Sequence, residues 1–197
     1  MLDFIFAAAT WKAALAALAV LLVSSYVIGK YNPKDEIERG LKGAYVSTDN
    51  PYKTEHTLWY DTARVTSMLG MYDEPEHYPK LYDAHRRFIL RHDLVYPLCY
   101  GITGVILLAF FYPWRGGPRW LVLLPLAAMA FDYAENFTML AFLGRFRANP
   151  QTTLTLLELS RVFTFAKLCL LMLSFALFAF LFVAFVVTHL RARTAAP

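Results

Sequence analysis

Three polar side chains stand inside an apolar run: Asp132, Glu135 and Asn136, in Phe131-Asp132-Tyr133-Ala134-Glu135-Asn136. At about 100° per residue on a helix they share an arc of roughly 60°. Arg161 and Lys167 open the next apolar run, and Asp93, Tyr96 and Tyr100 open the one before. An ionisable group within a membrane span costs roughly 2.5–3.5 kcal/mol on insertion scales, so such groups turn toward protein or water. The set offers two acid–base pairings, two phenols and an amide. It supports three readings: a satisfied polar network that fixes helix register, a site for a proton, an ion or a polar headgroup, or a two-metal carboxylate centre. The network is preferred, because breaking a buried ion pair costs about 3–5 kcal/mol and such pairs lock an arrangement without doing chemistry. A two-metal centre calls for Glu-x-x-His pairs, and neither run supplies a histidine within its apolar length. We therefore expect no catalytic residue, no metal and no cofactor.

The elements that carry these residues follow from composition. Of 197 residues, 58% are hydrophobic and 16% aromatic, too little polar surface for a soluble domain of this length. Four apolar runs are long enough to cross a bilayer: Phe4–Ile28, Asp93–Tyr112, Trp120–Leu143 and Val162–Thr188. In lipid each must be a helix to satisfy its backbone. The expected fold is an all-α membrane protein, a four-transmembrane-helix bundle running up-down-up-down, with a polar, partly helical segment between helices 1 and 2. Its segments are a first transmembrane helix (1–29), an extramembrane segment (30–92), a three-helix transmembrane region (93–190) and a tail (191–197). The Met-Leu-Asp-Phe start lacks the basic stretch of a cleaved signal peptide, so the first run is expected to be retained. Arg115-Gly-Gly-Pro-Arg119 is a tight turn that makes the second and third helices antiparallel neighbours. Within the polar segment, Thr54–Leu69 and a stretch opening at Pro79 predict short helices. Thr152–Glu158 predicts a helical lead-in to the last run.

Other signals are weaker. Cys99 and Cys169 lie in apolar runs without metal or redox spacing and read as core residues. His56, His77, His85 and His92 read as solvated or interfacial. Gly101-x-x-Gly104 permits close helix contact, and Asn136-Phe-Thr138 matches a glycosylation sequon inside a span, where modification is implausible.

Depth ties the polar residues together. Glu135 lies eight residues inside the helix end at Leu143, and Lys167 about as far inside the next helix. Both ends lie on one membrane side, so the two groups are expected at similar depth, roughly 12 Å in. Asp132 falls about a turn deeper, and Asp93 near the level of Arg161.

Three motifs in order, Asp93-Leu-Val-Tyr96-Pro97-x-x-Tyr100, Asp132-x-x-Glu135-Asn136 and Phe163-Thr164-x-x-Lys167, give residues 90–170 a likeness. The chain resembles an uncharacterised family of small four-helix bacterial integral membrane proteins. The resemblance implies the four-helix fold and a shared polar core, and no activity. The functional expectation is a non-catalytic structural or accessory subunit, packing in a larger membrane complex or against copies of itself. The alternative is a small transporter or a lipid-active membrane enzyme using Asp132, Glu135 and Lys167. Expected partners are membrane lipid and other integral membrane subunits or self. Nucleic acid is not expected, since the net charge of +4 comes from basic residues at the ends of apolar runs. The expected location is the bacterial inner membrane. Arg115, Arg119, Arg191 and Arg193, without neighbouring acids, favour cytoplasmic termini, although Lys30, Lys34, Arg86, Arg87, Arg91, Arg145 and Arg147 crowd the opposite side.

Overall fold

A computed structural model describes residues 1–31, 86–112, 118–145 and 150–194. The helices expected at Thr54–Leu69 and Pro79, and His56, His77 and His85, lie outside the described residues. Those described are almost entirely helical, with no strand among them: α1 (Leu2–Ala8), α2 (Trp11–Tyr31), a π-helical turn (Ile89–Asp93), α3 (Tyr96–Phe111), a 3-10 turn (Arg119–Leu123), α4 (Leu124–Arg145) and α5 (Pro150–Thr194). Among the described residues three stretches, Trp11–Lys30, Arg86–Phe111 and Thr155–Thr188, are long and apolar enough to cross a membrane. The 22-residue α4 is not among them, because Asp132, Glu135 and Asn136 interrupt its apolar length.

The first apolar run is not one helix. Thr10 breaks it: its hydroxyl accepts the Ala13 N–H at 3.2 Å, the capping interaction that starts a new helix. The preceding α1 becomes a short arm. At the other end of the chain, the expected lead-in and last span form a single helix of 45 residues, about 68 Å long against a hydrocarbon core of about 30 Å. Pro150 opens it, where a missing N–H costs nothing.

The chain forms two compact units. One comprises Met1–Tyr26, Tyr96–Phe131 and Ala166–Pro197, the other Val27–Val95 and Asp132–Phe165. In the first unit Leu108, Val122 and Leu181 form the core, with Phe6, Phe111 and Phe178 packed on it. The Phe111 ring meets Phe178, Phe182 and Phe185 edge-on at 5.3–5.5 Å between centroids, the favoured aromatic geometry. The arm α1 docks at the same end. Asp3 pairs with Arg119 at 2.8 Å, the Arg119 guanidinium lies 4.4 Å from the Phe6 ring centre, and Phe6 touches Tyr112. Cys99 is half-buried, but Cys169 is exposed on α5, so it is no core residue.

Helix approach in this unit depends on two glycines. A Cβ on Gly101 would stand 2.9 Å from Met129 Sδ, and one on Gly104 2.7 Å from the Pro125 ring. These pairs run in opposite sequence directions, so α3 and α4 are antiparallel there. On the other side of α3, Thr103 donates its hydroxyl to the Ala17 carbonyl of α2 at 2.9 Å.

Candidate functional site

The polar residues of α4 take their places because of a proline. Pro97 has no N–H to offer the carbonyl of Asp93, four residues back. The backbone answers with a π-helical turn over Ile89–Asp93 and a break at Leu94–Val95. A freed carbonyl in an apolar layer needs a donor, and in membrane proteins a neighbouring helix supplies it. The Asn136 side-chain amide donates to the Asp93 carbonyl at 2.9 Å. One turn earlier on α4, the Tyr133 hydroxyl donates to the Leu94 carbonyl at 2.8 Å. Both bonds lie in the second unit, and their crossed order makes the two segments antiparallel there.

The same face of α4 buries Asp132, 5% exposed, and Asn136, 4% exposed. Glu135 is half-buried, with one carboxylate oxygen, Oε2, fully enclosed. Thr138 is buried and returns its hydroxyl to the Ala134 carbonyl of its own helix, so the sequon motif is a packed helix interior.

The α5 part of this unit contributes Ser160 and Thr164. Ser160 is 1% exposed, and its hydroxyl has no hydrogen-bond partner among the described residues. Its carbonyl accepts the Thr164 hydroxyl at 3.0 Å. Arg161 pairs with Glu158, one turn back on α5, at 3.2 Å.

The remaining expected members belong to the first unit. Tyr96 and Tyr100 stand one turn apart on α3 with rings edge to face at 5.5 Å. Lys167 is half-buried on α5. The structure thus brings Asp93 and Asn136 together through a backbone carbonyl, and Tyr96 and Tyr100 through their rings. Sequence reasoning missed Tyr133, Glu158 and Ser160. Tyr133 was legible, since a proline inside an apolar run predicts an orphan carbonyl and hence a polar donor on an adjacent helix.

Chemically, Asn136 and Tyr133 spend donors on backbone satisfaction. Asp132 and Glu135 are the acidic groups of α4, the side chains there whose chemistry suits a cation. Among the described residues no group of three or more His, Cys, Asp and Glu is placed to hold a metal ion. No protein-family model matches the chain, and neither a curated protein nor a solved structure does.

Proposed function

We propose that the chain is an integral protein of the bacterial inner membrane, a bundle of four transmembrane helices acting as a non-catalytic structural or accessory subunit. The observation that carries this reading is the use of Asn136 and Tyr133. Both side chains serve helix-break carbonyls on another element, those of Asp93 and Leu94. That is a device for fixing register, and it explains why α4 carries polar groups in its apolar length. The long exposed apolar faces of α2 and α5 (Leu15, Leu22, Val23; Met172, Phe175, Val183) supply surface for lipid and for lateral packing against other subunits or a second copy. The three sequence motifs are read as the signature of the small four-helix bacterial family.

A second reading has one observation in its favour. Asp132 is buried, and Glu135 has an enclosed carboxylate oxygen, an arrangement often found on ion and proton pathways. It makes the protein a small transporter or lipid-active enzyme using Asp132, Glu135 and Lys167. Purification in mild detergent separates the two. The subunit reading expects a stoichiometric membrane partner or a discrete homo-oligomer. A monodisperse monomer whose ion flux or lipid turnover disappears in Glu135→Gln would replace it with the second.

A further inference from the structure

We propose that Arg86, Arg87 and Arg91 form a site for the phosphate of an anionic phospholipid, with Val95 bedding the start of its acyl chain. The proposal rests on the membrane reading above and adds the charge class and place of the lipid. All three arginines are exposed, and they precede an uncharged run of nineteen residues, Leu94–Tyr112. That run is about 29 Å long as a helix, close to the thickness of the hydrocarbon core. If it fills the core, Arg91 sits within about 5 Å of the boundary, at headgroup level. Arg87 and Arg91 are four residues apart, on one face of the helical turn entering the π-helical segment.

Four residues past Arg91, on the membrane side, Val95 is 54% exposed. Exposed guanidinium above this exposed aliphatic side chain repeats the order of a phospholipid, phosphate above acyl chain. Guanidinium also matches phosphate oxygens two at a time.

Charge complementarity favours an anion. In the described part of this unit Lys30 and Arg145 are further exposed cations, whereas Asp132 is buried, Asp93 and Glu135 are half-buried and Glu158 is engaged by Arg161. The competing occupant is the connecting segment 32–85, with ten acidic and six basic residues.

The test uses the full chain in nanodiscs of phosphatidylcholine mixed with phosphatidylglycerol, with retained lipid read by native mass spectrometry after gentle detergent release. Wild type should retain phosphatidylglycerol preferentially. The Arg86→Gln/Arg87→Gln/Arg91→Gln variant, its helical circular dichroism unchanged, should lose about fivefold of that preference per arginine. Arg191→Gln, near the end of α5, should lose none. Three results would overturn the proposal: an unchanged preference in the triple variant, displacement of the lipid by inorganic phosphate, or altered protease cutting within 32–85 without a change in lipid. A chain that retains neither lipid and stays in solution without detergent would overturn the membrane reading as well.

Discussion

Asn136 shows what a single polar side chain does when a proline removes a backbone donor. Its amide replaces the N–H that Pro97 lacks, so the two residues are energetically linked. Asn136→Leu should destabilise the protein by about 1–3 kcal/mol, the cost of a buried carbonyl without a donor. In a Pro97→Ala background the restored N–H offers that carbonyl its helical partner, and the same change should cost much less. Unfolding in mixed detergent, measured for both singles and the double, gives the comparison. Equal costs in both backgrounds would show that the proline does not create the need. Tyr133→Phe should be milder, about 0.5–1.5 kcal/mol, since it removes one neutral hydrogen bond.

At the scale of the element, burial along α5 repeats every three and four residues: Ser160, Thr164, Lys167, Leu171, Ser174, Phe178 and Leu181 are its buried and half-buried line. In α2 the line is Ala14, Ala17, Leu21 and Ser24. A spacing near 3.5 is that of helices packed at shallow left-handed angles. In α5 four of these seven, Ser160, Thr164, Lys167 and Ser174, are polar, so the seam was legible there and sequence reasoning passed over most of it. In α2 it was hidden, because polarity marks no inner face when the outer one is apolar too. Three membrane-length apolar stretches, the glycine pair and the polar residues of α4 were legible, because charge and missing side chains stand out against an apolar background. The break at Thr10 was not, since a threonine in an apolar run reads equally as a helix residue and as a cap. The glycines give a graded test. Gly104→Ala drives a methyl against the rigid Pro125 ring and should cost about 1–3 kcal/mol. Gly101→Ala should cost somewhat less, because Met129 Sδ can swing away, although Met129 Cβ at 3.1 Å cannot. At Gly144 an added Cβ meets nothing within 4 Å, so alanine there should stabilise by up to about 1 kcal/mol. Thermal unfolding of the three variants checks the order, and a Gly101→Ala cost above that of Gly104→Ala would contradict it.

For the molecule as a whole, the docked arm carries topological information. Asp3 and Arg119 are in contact, which supports placing α1 and the start of the 3-10 turn before α4 on one side of the membrane. Reporter fusions at Gly116 and Pro197 should give one signal and a fusion at Asn50 the opposite one, while matching signals at Gly116 and Asn50 would rule out four spans. The depth reasoning that pairs Glu135 with Lys167 has its own test. Lys167→Met should destabilise by about 3–5 kcal/mol, and adding Glu135→Gln should recover much of the loss if the two groups share a pair. No coupling between the changes would mean that they never meet. The arm has a further consequence, in the order of events during synthesis. The seat for Asp3 and Phe6 is built by Tyr112 and Arg119, which leave the ribosome more than a hundred residues later. At about 5–20 residues per second, Asp3 and Phe6 wait roughly 5–20 s for their docking place. Throughout that interval α1 has no seat, and it can settle only once Arg119, just before α4, has been made.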